Sequence, residues 1–145
     1  MIINEFRGQY YFLSNFYEDA SYQIEYDGLF YNNAEAAFQS AKILDKDIRK
    51  QFCKFSPSDA KKLGRKVKLR PDWEQVKDNI MYKVVKSKFS IKHLGEMLFA
   101  TDDAILIEGN TWGDVYWGMC RSKGMNMLGK ILMRIREEIG IVYYG

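Results

Sequence analysis

At 145 residues, with 47% hydrophobic and 28% charged side chains, the chain is long enough for one domain to bury a core without staples. Its two cysteines, Cys53 and Cys120, lack CxxC spacing, and a single histidine, His93, speaks against a zinc site or a His-based triad, so neither a metal nor another cofactor is expected. The formal charge of +3 is mild; the opening MIINEFRGQYY lacks a basic segment followed by an apolar core, and no run approaches the ~18 apolar residues of a membrane span, so the expectation is a soluble, reducing, cytoplasmic chain with no membrane partner.

Residues 10–16, YYFLSNF, are predicted as an aromatic opening strand ending in Ser14 and Asn15, whose side chains favour turns. Tyr22, Ile24 and Tyr26 then alternate with polar residues, Asp27-Gly28 supplies a two-residue hairpin turn, and Leu29-Phe30-Tyr31 returns. The hairpin leads into residues 32–46, NNAEAAFQSAKILDK. On a helix, Ala34, Ala37, Phe38, Ala41 and Leu44 form a stripe of small apolar residues. On the neighbouring face Glu35, Gln39, Lys42 and Lys46 recur at i, i+4, i+7 and i+11. Asn32 is positioned to cap this helix with Glu35 as the third residue of a capping box. The polar row is either a solvated face or a site.

Ser56-Pro57-Ser58-Asp59 reads as a cap, a proline in the first turn and an acidic third residue, opening a short helix that Gly64 closes. Lys61, Lys62, Arg65, Lys66, Lys68 and Arg70 crowd into ten residues, which suits either a phosphate-bearing ligand or nucleic acid, or a solvated basic helix end. Pro71-Asp72-Trp73 starts a longer helix to about Phe89, with Trp73, Val76, Ile80, Val84 and Lys88 along its buried stripe. Ser90 is placed to cap a further helix carrying Ile91, Leu94, Met97 and Leu98 and ending near Thr101, and residues 104–108 are an apolar strand with Glu108 at its end. Residues 108–124, EGNTWGDVYWGMCRSKG, are the least regular part, with Trp112 and Trp117 each followed by glycine and Asp114 between them; such a loop either lines a pocket or fills a core. Asn126 is predicted to cap the last helix, where Leu128, Leu132, Ile135 and Ile139 form the buried stripe and Gly129 admits a close neighbour. No repeat, linker or low-complexity segment divides residues 1–145, so a single domain is expected. Aromatics at 15% of the chain, ten of them tyrosine, make stacking on a planar ligand plausible.

Taken in order, FLSNFY (12–17), EAAFQSAK (35–42), GR (64–65), LRPDWE (69–74), KF (88–89), LIEG (106–109), WG (117–118) and GMNMLGKILMRIR (124–136) resemble the NADAR family, also called YbiA-like, over nearly the whole chain. The family motif usually reads EHAFQ, whereas Ala36 stands in this chain in place of that histidine. The resemblance implies a helix-rich α+β domain with short N-terminal strands and a hairpin. It also implies an N-glycosidase, since members cleave the C–N bond of phosphorylated riboflavin-biosynthesis intermediates or remove ADP-ribose from modified guanine in nucleic acid.

Breaking such a bond passes through an oxocarbenium-like state that calls for negative charge, a positioned nucleophile and help for the departing base. Glu35 is the leading catalytic carboxylate, Gln39 the group to orient a water or ribose hydroxyl, and Lys42 a candidate nucleophile or general acid if burial lowers its pKa. Arg65 and Arg70 suit bidentate phosphate contacts, Trp112 or Trp117 stacking on a base, Asn15 a hydrogen bond to base or ribose, and Asp114 and Glu108 further contacts. The expected partner is a nucleotide-like small molecule or ADP-ribosylated nucleic acid. The competing reading is a non-catalytic module that binds ADP-ribose or nucleic acid; a carboxylate on the polar row favours the enzyme.

Overall fold

A computed structural model describes all 145 residues and contains six α-helices, one 3-10 helix and six short strands. The expected mixed, helix-rich α+β class is what the chain adopts. It divides into two compact units, one formed by residues 15–88 and the other by residues 1–14 together with 89–145. No helix is long and apolar enough to cross a membrane.

The unit of residues 15–88 starts with the hairpin. Strands β2 (Ile24–Tyr26) and β3 (Leu29–Tyr31) pair antiparallel, with Ile24 opposite Tyr31 and both fully buried. Asp27 and Gly28 both take positive φ, 50° and 84°, the mirror-image turn whose twist matches the strands it joins. Arg49 locks that turn: its Nη1 donates to Asp27 Oδ2 at 2.7 Å, its Nε to the Ile43 carbonyl at 2.6 Å, and its guanidinium lies over the Tyr26 ring.

The helix expected over residues 32–46 is broken into two. Helix α1 spans Ala34–Ser40, and α2 spans Lys46–Gln51 with Asp45 as its cap. The chain tightens after Ser40, where Ala41, Lys42 and Ile43 each donate to the carbonyl three residues back and Ser40 Oγ donates to the Ala37 carbonyl. Ala34, Ala37, Phe38 and Ala41 are buried as the periodicity implies, but Leu44 is 60% exposed because the helix has ended before it. Lys46 leaves the polar row for the same reason. The cap is Asn33, not Asn32: Asn33 Oδ1 accepts from Ala36 N at 2.7 Å, and its Nδ2 donates to Glu18 and to the Phe55 carbonyl, all with the residue fully buried. Asn32 is left in an exposed bond with Gln23.

Helix α3 (Pro57–Gly64) forms as expected, with Ser56 Oγ accepting from Asp59 N at 3.1 Å. Helix α4 (Trp73–Phe89) forms as expected, with Trp73, Ile80, Val84 and Lys88 buried along it, while Val76 on the same stripe is half-buried.

The aromatic opening over residues 10–16 is not a strand. In the other unit, Gly8–Leu13 form a 3-10 helix that buries Phe12 and Leu13, since a turn places two large apolar side chains inward without needing a partner strand. The paired N-terminal strand is instead β1 (Ile2–Ile3), parallel to β4 (Ile105–Leu106), so the strand expected over residues 104–108 is shorter than its apolar run. A second parallel pair joins β5 (Gly109–Asn110) to β6 (Met119–Cys120). Helix α5 (Lys92–Phe99) has Ile91 at its cap position, with no side-chain cap bond, rather than Ser90; it buries Leu94 and Leu98, while Met97 is 38% exposed. Helix α6 (Met127–Tyr144) buries Leu128, Leu132, Ile135 and Ile139 as expected.

Asn126 holds the cap position of α6, with its carbonyl accepting from Lys130 N, but its side chain makes no cap bond. It sits in the left-handed region at φ 53°, donates Nδ2 to the Leu106 carbonyl at 2.9 Å and accepts at Oδ1 from Glu108 N at 3.0 Å, joining β4 to the start of the helix. Gly129 makes this approach feasible, since a methyl there would strike the Leu106 carbonyl and the Asn126 amide.

The two candidate caps give a direct test. Asn33→Ala removes a buried cap and leaves the Phe55 carbonyl without its donor, and should cost about 2–3 kcal/mol of stability in urea unfolding. Asn32→Ala, at a half-buried position whose side-chain bond to Gln23 is exposed, should cost under about 0.5 kcal/mol.

Candidate functional site

The polar row of α1 is buried, not solvated. Glu35 is 9% exposed and Gln39 7%, and Gln39 Nε2 donates to Glu35 Oε2 at 2.9 Å. The i, i+4 spacing of one helix stacks the two side chains, so the contact is dictated locally, whereas the burial is imposed by the packing of α3. With its amide nitrogen committed to the carboxylate, Gln39 keeps Oε1 buried and without a hydrogen-bond partner. Asn15 lies beside the start of the helix. Its carbonyl accepts from Glu35 N at 3.0 Å, its Nδ2 donates to Met81 Sδ, and its Oδ1 is the second buried acceptor without a partner. A buried acceptor left unpaired costs on the order of 1–3 kcal/mol, so each of these two oxygens is held at a cost that the local packing does not recover.

Lys42 follows in the turn after α1, half-buried. Its Nζ donates to the Gly64 carbonyl at 3.4 Å and stands 6.0 Å from the centre of the Trp73 ring, which is itself packed on Phe38. Burial holds the Lys42 ammonium below the ordinary lysine pKa; the positive charges of Arg65 and Lys61 push the same way, and the Glu35 carboxylate opposes them. Lys46, one turn further on in the expected long helix, is not among these influences.

Arg70 is already engaged. Its Nε and Nη2 donate to the two carboxylate oxygens of Asp72 at 2.7 and 3.1 Å, its Nη1 donates to the Ala41 carbonyl, and its backbone N donates to the Lys42 carbonyl. The hydrogen bond from Arg70 holds the Asp72 carboxyl below its usual value and raises the arginine. Arg65, by contrast, is exposed at the end of α3, next to exposed Lys62 and Lys66. An open groove of about 670 Å³ in the same unit is lined by Glu18, Asp19, Tyr22, Gln23 and Asn32; it carries negative charge and includes none of the candidate site residues.

Glu108, Trp112, Asp114 and Trp117 all belong to the other unit. There, Asp114 Oδ1 accepts from Tyr116 N and Trp117 N at 3.1 and 3.0 Å, so this carboxylate shapes its own loop. Trp112 is 55% exposed, while Trp117 is half-buried with its ring edge-on to Tyr116. Glu108 is half-buried, its N–H bound by Asn126 and its carbonyl accepting from Met119 N. Sequence reasoning missed Asn110, 8% exposed, which clamps this loop by donating Nδ2 to the Asp114 carbonyl and accepting at Oδ1 from Asp114 N. It also missed Trp73 and Gly64 as site residues, taking them for core and helix end; the pairing of Gly64 with an α1 side chain has no signature along the chain.

The charge balance at Lys42 is measurable. In a titration of carbon-13 dimethylated protein followed by NMR, the Lys42 signal should have its midpoint below the ordinary lysine value. Lys61→Ala should move that midpoint up, by removing a like charge, and Glu35→Gln should move it further down. A Lys42 midpoint at or above the ordinary value would refute this ordering of the three influences.

Residues 3–140 match the family model of the NADAR domain. The N-glycosidase YbiA of Escherichia coli is 39% identical over 134 residues, covering 88% of this chain and 81% of that protein. The NMR structure of E. coli YbiA superposes with a TM-score of 0.81 at 35% identity, covering 97% of this chain and 84% of that one. The chloroplastic riboflavin biosynthesis protein PYRR of Zea mays is 39% identical over 92 residues, covering 58% of this chain but 15% of that longer protein. The chain therefore belongs to the NADAR family, and with it to the hydrolases that act on N-glycosyl bonds.

Proposed function

We propose that the protein hydrolyses the C–N bond between a base and a ribose, acting on phosphorylated riboflavin-biosynthesis intermediates or on ADP-ribosylated guanine in nucleic acid. The observation that carries this reading is the buried Glu35–Gln39 pair, in which a carboxylate is kept out of water and oriented by an amide whose own oxygen has no protein partner. A domain that only bound a phosphate-bearing ligand would have no use for a buried negative charge beside it. Support for the riboflavin branch comes from the name of the PYRR relative, and for the nucleic-acid branch from the exposed cations at the end of α3.

In the proposed reaction the C–N bond breaks with its electron pair leaving on the base nitrogen, which takes up a proton. Glu35 stabilises the positive charge that develops on the ribose and accepts a proton from the water that adds to the anomeric carbon. Gln39 Oε1 and Asn15 Oδ1 accept hydrogen bonds from the water or from ribose hydroxyls. The Lys42 amine offers a second route: as free amine it adds to the anomeric carbon, the base departs with the C–N bonding pair and takes up the proton the amine loses, and ring opening with protonation of the ring oxygen leaves a Schiff base that water hydrolyses to release the sugar and restore the amine. Its lowered pKa supports that role, since a larger share of free amine is present near neutrality. Phosphate anchoring is assigned to Arg65 with Lys61 and Lys62, because the Arg70 fork is occupied by Asp72.

Product release by the purified protein from each of the two substrate types tests the reading, and no release from either would overturn it. Glu35→Gln should keep fold and binding while losing about two orders of magnitude in turnover. If turnover holds within about threefold while Tm falls, the carboxylate is structural. Borohydride added during turnover should leave a mass adduct in the wild type that is absent in Lys42→Ala; no adduct with a fully active variant would leave the water route alone.

The two arginines should separate. Arg65→Ala should raise KM more than it lowers kcat, as a remote anchor does. Arg70→Ala should act mainly by lowering Tm, since it frees Asp72 and the Ala41 carbonyl. An unchanged KM in Arg65→Ala would return the basic cluster to solvated surface.

A further inference from the structure

Gly64 is the last residue of α3, it is buried, and its backbone is not in the positive-φ region, so nothing in its own conformation requires glycine. What requires it is the neighbour. The three atoms nearest to a methyl built at Gly64 are all from the Gln39 side chain, and the amide oxygen and carbon would overlap with it. No backbone atom stands among them, and the Gln39 side chain is the part that would have to yield. It is buried and tied to Glu35 through Nε2, so yielding means giving up that bond. The same glycine offers its carbonyl to Lys42 Nζ.

We infer that Gly64 is a positioning residue for the reaction proposed above, its missing side chain making the space that Gln39 Oε1 fills, so that the amide nitrogen is turned toward Glu35. The end of α3 is thus a backstop that sets the geometry of the α1 row. The inference rests on the proposed hydrolysis only for its kinetic readout.

Alanine suits a helical backbone better than glycine, so Gly64→Ala should hold or raise Tm in the Gln39→Ala background, where the obstructing amide is gone, and should lower it in the wild type, where the buried bond to Glu35 is lost. In the wild type, Gly64→Ala should lower kcat by roughly tenfold to a hundredfold, as displacements near 1 Å do, with a smaller change in KM. In Gln39→Ala the same substitution should change kcat by less than about twofold, because both act through one side chain. Equal kinetic losses in both backgrounds, wild-type activity in Gly64→Ala, or a Tm that falls equally in both would overturn the inference. The Tm comparison needs no substrate, so if neither candidate substrate is hydrolysed, the proposed function fails while the Gly64–Gln39 coupling is still decided.

Discussion

Holding a carboxylate in a packed helix face is the constraint around which residues 15–88 are arranged. Removing an ionised carboxyl from water costs several kcal/mol, and a charged hydrogen bond recovers on the order of 1.5–3 of it. Gln39 supplies one such bond to Glu35, and the opposite charge on Lys42 lies within reach of the same carboxylate. The flanks of the pair are small for a reason: Ala34, Ala36 and Ala37 are fully buried, so α1 is enclosed by its surroundings while its longer polar side chains are concentrated at Glu35 and Gln39. Asn33 holds the start of this helix with a buried cap, and the tightened turn after Ser40 ends it, which aims Lys42 back at the end of α3 instead of outward along a longer helix.

Lys42 shows how the same surroundings serve opposite demands. A carboxylate nearby favours the ammonium and would keep the amine out of nucleophilic chemistry. Burial and the positive charges of Arg65 and Lys61 outweigh it. The basic cluster, from exposed Arg65 and half-buried Lys61, therefore weakens the hold of Lys42 on its proton. Arg70 has a different place. Bound to Asp72 and to the Ala41 carbonyl, it fastens the segment leading into α4 onto the end of α1.

In the other unit, two asparagines and Asp114 organise the backbone. Asn126 ties β4 to the first turn of α6, and Asn110 holds both backbone groups of Asp114, leaving that side chain to satisfy Tyr116 and Trp117. Each asparagine can both donate and accept, which suits a stretch whose short strands leave many backbone groups without ladder partners. Gly118 and Gly129 complete these joints, since a side chain at either would meet the carbonyl of Glu108 or of Leu106.

What was legible along the chain was whatever depends on neighbours within one turn. The Asp27-Gly28 hairpin, the Ser56 cap, the stripe of α4 and the Glu35–Gln39 adjacency all follow from spacing and local conformational preference, and the order of motifs pointed to the NADAR family. The failures have one origin. YYFLSNF has strand composition, yet residues 8–13 curl into a 3-10 helix, because no strand is there to pair with them and Phe12 and Leu13 find their burial through a turn. The pattern over residues 32–46 is helical throughout, yet the chain stops at Ser40, whose hydroxyl bonds to the Ala37 carbonyl and to Tyr31. Sequence by itself determined which residues share a helix face and which turns can form, because those are short-range properties of the backbone. Only tertiary structure decided that the polar face is buried, that Lys42 loses part of its affinity for a proton, and that Gly64 seats Gln39, because desolvation and steric contact come from segments that lie over twenty residues apart in the chain.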